Sequence, residues 1–104
     1  MGQRLPPEQL ELYRRVDEVL HYIWDPIGVA GTPEARDEYQ SYLPHVFSLL
    51  IHHAPESEIT AFLTKTETET MGLSNSRRAQ KHAAEVTHIL TRYRDVIQQR
   101  TNVT

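Results

Sequence analysis

The stretch Trp24-Asp25-Pro26-Ile27-Gly28-Val29 sets the course of the chain, because it places a sharp corner between two helical patterns. Pro26 disfavours the helical conformation at Asp25 and so ends the element that precedes it. Gly28 adopts positive φ at little cost, which suits a tight turn. These residues therefore predict a built corner that carries a bulky aromatic side chain.

Before the corner, apolar residues recur at steps of three and four, the pattern of a helix with one buried face. Pro6 and Pro7 suit its first turn, because a proline lacks the N–H group that would be unsatisfied there. The predicted stripe is Leu10, Tyr13, Val16, Leu20, Ile23 and Trp24. We expect the first helix to span about residues 6–24.

After the corner, Thr32-Pro33-Glu34 has the order of a helix start: a hydroxyl cap, a proline in the first position and then an acid. The apolar stripe beyond it runs through Pro44, which removes an N–H group and clashes with the preceding turn. We therefore expect two helices, or one sharply kinked helix, with the break near residues 41–43. Ala54-Pro55-Glu56 then repeats the start signal.

The end of the third helix and the start of the last are also marked. Gly72 offers the left-handed residue that closes a helix, and Leu73 can supply the accompanying hydrophobic contact. Ser74 or Asn75 is the expected cap of the final helix, and no stretch shows the alternation of a β-strand. The sequence predicts one all-α domain over residues 1–104, a compact bundle of four to five helices.

Composition and charge narrow the classes of function. The chain of 104 residues has no cysteine, which excludes disulfides and thiolate chemistry, and we expect a cytoplasmic location without membrane association. Residues 1–75 carry 12 acidic and 5 basic side chains, whereas residues 76–104 carry 2 acidic and 6 basic ones. An acidic face attracts basic surfaces and repels nucleic acid.

No set of residues indicates a catalytic or metal site. Glu85-x-x-His88 has the spacing of di-iron bundles, but the chain contains no second such pair. Asp25, Asp37 and Glu67 could form a paired-carboxylate site, although local capping and solvation explain such acids more simply. We expect no enzyme activity, no catalytic residue, no metal and no cofactor.

The aromatic residues near the corner allow two interpretations. Tyr39 and Tyr42 lie three residues apart, on one helix face, and Trp24 ends the preceding helix. Core packing is the simpler interpretation, because aromatic stripes at helical spacing usually bury their rings. The alternative is an aromatic and acidic interaction surface, since tyrosine and tryptophan are favoured interface anchors.

Three stretches together resemble a family of small, all-helical bacterial proteins: the corner at residues 24–29, Asp37-Glu38-Tyr39-Gln40-Ser41-Tyr42, and Glu67-Thr68-Glu69-Thr70-Met71-Gly72-Leu73. Members of such families often resemble immunity proteins that are encoded beside bacterial competition toxins. The resemblance implies an acidic binding protein that occludes a basic, nuclease-type toxin domain. The partner-binding residues that we predict are Asp37, Glu38, Tyr39, Tyr42, Glu67 and Glu69.

The sequence allows two other hypotheses about function. A regulatory or nucleic-acid-binding module would use the basic last helix, through Arg77, Arg78, Lys81, Arg92 and Arg94. The overall acidity and the lack of a nucleic-acid-binding signature speak against it. A homodimer with a structural role is a third alternative. His52-His53 and the Thr-rich stretch at residues 60–70 depart from the family pattern, so a partner-specific face is expected there as well.

Overall fold

The computed structural model describes residues 5–28, 31–35, 37–73 and 76–102. The α-helices in these residues are α1 (Pro7–Val19), α2 (Leu43–Ile51), α3 (Glu56–Lys65) and α4 (Arg77–Asn102). A first π turn (Leu20–Trp24) continues α1, a second π turn (Thr66–Thr70) continues α3, and a 3₁₀ turn lies at Pro33–Ala35. The described residues contain no strand, which confirms the predicted all-α bundle.

The long helix α4 organises the core, because it packs against both α1 and α3. All four helices contribute to one cluster of buried apolar side chains, which includes Leu12, Val16, Leu43, Val46, Leu50, Ile59, Leu63, Ala83, Val86, Leu90 and Ile97. A polar contact also crosses from α3 to α4, since the Thr60 hydroxyl donates to the Thr87 hydroxyl at 2.8 Å. The core therefore fixes the helix ends that form the corner.

The first helical stretch ends where the sequence predicts, but its last turn is a π turn. The N–H of Asp25 donates to the carbonyl of Leu20, five residues back, at 3.0 Å. This wider turn changes the phase of the stripe, so Ile23 is exposed although the sequence places it in the core. Leu10 is also exposed, whereas Val19, which the stripe omits, is buried.

The corner itself is a tight turn with two residues in the left-handed region. Asp25 has φ 33° and ψ 58°, and Gly28 has φ 72°. The N–H of Gly28 donates to the carbonyl of Asp25 at 3.2 Å. The predicted corner is thus confirmed over residues 24–28, while Val29 lies outside the described residues.

Replacing Gly28 with valine should destabilise the protein by about 1 kcal/mol or more, because a β-branched residue tolerates positive φ poorly. Apart from Gly28 and its two chain neighbours, no described residue comes within 4 Å of a Cβ built on Gly28, so backbone conformation rather than a clash causes this loss. Gly31 has equally open surroundings without a positive φ, which makes Gly31→Val the matched control. Urea unfolding followed by far-UV circular dichroism measures both variants. Equal effects of the two substitutions would contradict the prediction.

The segment before α2 is not the helix that the sequence predicts from Thr32. Its hydrogen bonds run three residues back, as from the Glu38 N–H to the Ala35 carbonyl at 3.0 Å and from the Tyr42 N–H to the Tyr39 carbonyl at 3.1 Å. The α-helix begins only at Leu43. Pro44 then falls in the first turn, where its missing N–H breaks no helical bond. The predicted break near residues 41–43 is confirmed.

The second π turn ends at Thr70, and Gly72, which has φ 70°, closes the helical stretch as predicted. The N–H of Leu73 donates to the carbonyl of Glu67 at 2.8 Å, which folds the chain back over the turn. The expected caps Ser74 and Asn75 lie outside the described residues. Within them, the Ser76 hydroxyl caps α4 by accepting the Ala79 N–H at 3.0 Å.

Candidate functional site

The three sequence stretches meet at Trp24, which is 1% exposed. Its ring centroid lies 5.4 Å from that of Tyr39 and 6.3 Å from that of Tyr42. Its indole Nε1 donates to Oε2 of Glu67 at 2.7 Å, across 43 residues of chain. We call Trp24, Asp25, Tyr39, Tyr42 and Glu67 the Trp24 cluster. It holds the corner, the segment before α2 and the second π turn together.

Tyr39 is the polar link between the corner and the segment before α2. Its side chain is 2% exposed, and its hydroxyl donates to Oδ1 of Asp25 at 2.7 Å. The same hydroxyl accepts the N–H of Ile27 at 3.1 Å. Burial raises the pKa of Tyr39 above its ordinary value, and the hydrogen bond to Asp25 raises it further. Tyr39 therefore remains a neutral donor that holds the corner in place.

Glu67 lies inside the bundle, which corrects the expectation that it is a surface acid. Its side chain is 5% exposed, and its carboxylate accepts the indole N–H of Trp24. A buried indole N–H needs a hydrogen-bond acceptor, and Glu67 supplies it. Glu69 is exposed, so the two acids occupy different faces as their spacing predicts.

The other predicted partner-binding residues divide by exposure. Asp37 and Glu38 are exposed, and Tyr42 is half-buried. The burial of Tyr39 removes it from the surface that a docked partner could touch, whereas the buried Glu67 still lines a cleft. Of the two interpretations of the aromatic residues, core packing describes Trp24 and Tyr39. Partner binding through Asp37, Glu38 and Glu69 remains a prediction.

A cleft of about 550 Å³ lies beside the Trp24 cluster. Its walls come from the first π turn, the corner, Glu67 and the start of α4. The described residues that line it are Tyr22, Ile23, Trp24, Asp25, Pro26, Glu67, Leu73, Ser76, Arg78, Ala79 and His82. Sequence reasoning named Arg78 only as a nucleic-acid-binding candidate and missed His82, because nothing in their local pattern shows that the start of α4 faces a corner more than 50 residues earlier.

His82 fixes the start of α4 against the first π turn. Its Nε2 lies 2.8 Å from the carbonyl oxygen of Ile23. A carbonyl oxygen only accepts, so this ring nitrogen carries the hydrogen. The contact joins two walls of the cleft and keeps their spacing constant.

Exposed apolar side chains surround the same region. Tyr22 is 57% exposed, and Ile23 and Ile27 are also exposed. Tyr22 and Ile23 belong to the cleft wall, whereas Ile27 lies on the corner. Neighbouring exposed apolar groups with acids nearby are typical of protein-interaction sites.

The catalytic and metal hypotheses gain no support from the geometry. Asp25 and Glu67 both line the cleft, but each carboxylate accepts a hydrogen bond from the cluster, and Asp37 is not among the lining residues. Glu85 and His88 are both exposed. Within the described residues, no group of three or more histidine, aspartate or glutamate side chains could hold a metal ion.

Of the basic residues predicted to bind nucleic acid on α4, Arg94 is the one that is engaged within the bundle. The Arg94 side chain is 11% exposed; its Nη1 donates to the Leu50 carbonyl at 3.3 Å and its Nε donates to Asp95 at 2.9 Å. Arg94 therefore supports the end of α2 instead of facing a ligand. The remaining predicted residues, Arg77, Arg78, Lys81 and Arg92, are exposed.

The His52-His53 pair, a predicted partner-specific face, lies at the end of α2 and is exposed. His53 has φ 56°, and Nδ1 of His52 lies 2.8 Å from the Ser48 carbonyl oxygen. The His52 side chain therefore contacts the last turn of α2, and His53 turns the chain away from that helix.

None of the described helices is both long and apolar enough to cross a membrane. Comparisons of the chain with protein-family models, with curated proteins and with solved structures found no match. The cluster, the cleft and the surface around them are therefore the features that bear on function.

Proposed function

We propose that this chain is a small binding protein that neutralises a basic protein, the nuclease domain of a bacterial toxin, by covering its nucleic-acid cleft. The observation that carries the proposal is the position of three exposed acids, Asp37, Glu38 and Glu69. They lie on two segments that the Trp24 cluster holds together.

Charge and shape have separate roles in this proposal. Acidic groups that face a cationic surface accelerate encounter, and their arrangement fixes the orientation of the complex. The exposed apolar side chains Tyr22, Ile23 and Ile27 supply surface that loses water on binding. A protein that covers the nucleic-acid cleft of its partner blocks the substrate and needs no chemistry of its own.

The packing of the cluster supports a preformed binding surface. Trp24 and Tyr39 are buried and hydrogen-bonded, so the segments that carry the acids are fixed before a partner arrives. A preorganised surface loses less conformational entropy on association. Fast and tight binding, which neutralisation of a toxin requires, follows from this arrangement.

The charge-reversed variant Asp37→Lys/Glu38→Lys/Glu69→Lys tests the proposal. We expect association with the nuclease-type toxin domain that the protein is proposed to neutralise to slow by roughly tenfold or more at low salt, because steering depends on these charges. Protection of cells against that toxin should weaken in parallel. The far-UV circular dichroism spectrum should stay unchanged, since exposed acids contribute little to folding.

The matched control is Glu58→Lys/Glu85→Lys/Asp95→Lys, which makes the same change of charge at exposed positions outside the cluster. It should slow association less. If both variants slow association equally, the effect comes from net charge and not from the position of the acids. If the first variant still protects cells fully, the acidic-surface mechanism is wrong. An oligonucleotide complex at physiological salt that Arg77→Ala/Arg78→Ala abolishes would instead favour nucleic-acid binding.

A further inference from the structure

The carboxylate of Glu67 has one oxygen that the fold leaves unused. Oε2 accepts the Trp24 indole N–H, whereas Oε1 forms no hydrogen bond within the described part of the chain. Among the described residues, His21 Nδ1 is the side-chain nitrogen or oxygen that is fully buried and lacks a hydrogen-bond partner, and Oε1 of Glu67 is not in that class. Oε1 of Glu67 is therefore not sealed from solvent. Glu67 lines the cleft, so the cleft is the solvent-accessible space beside this carboxylate.

A carboxylate in this position favours a cationic ligand. Removing a charged group from water costs free energy, and one neutral indole donor offsets only part of that cost. A charged donor forms a shorter and stronger hydrogen bond with a carboxylate than a neutral donor does. Asp25 lines the same cleft and adds a second negative charge.

The walls favour a planar cation over a compact one. The exposed ring of Tyr22 lines the cleft and offers an aromatic face. A guanidinium group stacks on aromatic rings and presents its donors in a fixed fork that matches carboxylate oxygens. The volume of about 550 Å³ lies within the usual range of ligand pockets.

Taken together, these features lead us to propose that the cleft binds the guanidinium group of an arginine side chain. Glu67 accepts its hydrogen bonds, Asp25 adds negative charge to the same cleft, and Tyr22 stacks on its plane. The inference rests on the proposed function in one respect: the arginine belongs to the basic partner and anchors it beside the exposed acids. Arg78 lines the same cleft and opposes the incoming cation, which provides an internal test of the charge argument.

The test uses a small arginine probe, N-acetyl-L-arginine N-methylamide, titrated at constant ionic strength. Trp24 is the single tryptophan of the chain, so its fluorescence and its indole N–H resonance report on the cluster directly. We expect saturable changes in both signals. The citrulline counterpart has nearly the same shape without the charge, and it should bind about tenfold more weakly or worse.

Two pairs of variants locate the site. Glu67→Gln keeps an acceptor for the indole but removes the charge, and it should weaken binding of the arginine probe by about tenfold. Glu69→Gln, at an exposed position two residues on, should leave binding unchanged. Arg78→Ala should strengthen binding because it removes a like charge, whereas Arg77→Ala, outside the cleft lining, should not.

Several results would overturn the proposal: no saturable signal with the parent protein, equal affinity for citrulline, unchanged binding in folded Glu67→Gln, or weaker binding in Arg78→Ala. The last of these would mean that Arg78 contributes to binding of the probe instead of opposing it. The experiment also distinguishes failure of the arginine site from failure of the proposed function. Probe binding without neutralisation of a toxin leaves the arginine site standing, whereas neutralisation without probe binding refutes the arginine site alone.

Discussion

Replacing Trp24 with alanine should destabilise the protein by about 3–5 kcal/mol, the range for truncation of a buried tryptophan. Trp24 packs against Tyr39 and Tyr42 and donates to Glu67, so its loss opens a cavity and removes a buried hydrogen bond. A domain of this size has a total stability of about 5–15 kcal/mol. The variant should therefore unfold at a much lower urea concentration, or be largely unfolded without urea.

Far-UV circular dichroism is the suitable measurement, because the variant has no tryptophan fluorescence. Tyr22→Ala is the control, since it removes an exposed aromatic side chain two residues earlier and should cost less than about 1 kcal/mol. The loss of stability in Trp24→Phe should fall between those of Trp24→Ala and Tyr22→Ala, because phenylalanine keeps part of the aromatic packing but leaves Oε2 of Glu67 without its donor. If Trp24→Ala and Tyr22→Ala cost the same, Trp24 is not the packing centre of this end of the bundle.

Glu67→Lys should destabilise the protein by about 2 kcal/mol or more. The substitution removes the acceptor of the Trp24 indole N–H, and an unsatisfied buried donor alone costs about 1–3 kcal/mol. It also places an ammonium group in a site that is 5% exposed, which adds a desolvation cost.

The same substitution at Glu69 gives the sharpest comparison, because the charge change is identical and the position is exposed. Glu69→Lys should change stability by no more than about 0.5 kcal/mol. Urea unfolding of both variants measures the difference. Equal stability of the two would mean that the Trp24–Glu67 hydrogen bond contributes nothing measurable to the fold.

Local signals in the sequence predict the helix ends well, since those signals act within a few residues. Pro26 stops the first helix, Pro44 lies just after the break, and Gly72 closes the third helical stretch. Each of these residues restricts its own backbone or that of its neighbour, so no tertiary information is needed.

Local signals do not predict which acids and aromatic residues are buried. The burial of Glu67 depends on an indole donor 43 residues away, and an acid in a threonine-rich stretch shows no sign of that partner. Tyr39 lies in a segment whose pattern suggests a helix. Its hydrogen bonds to Asp25 and Ile27 instead accompany a chain of tighter turns. Local signals do not predict the cleft either, because its walls come from separate elements.

The π turns before Asp25 and Met71 are the places where these helices accommodate a change of chain length. Each encloses one residue more in its hydrogen-bonded ring than an α-helix does, and Trp24 and Glu67 lie one in each. Deleting one residue from either turn leaves an α-helical turn and keeps the flanking segments close to their present phase. The same deletion inside α1 or α3 rotates everything beyond it by about 100°. In evolutionary terms, these two turns are therefore the positions at which a single-codon deletion disturbs the helices least.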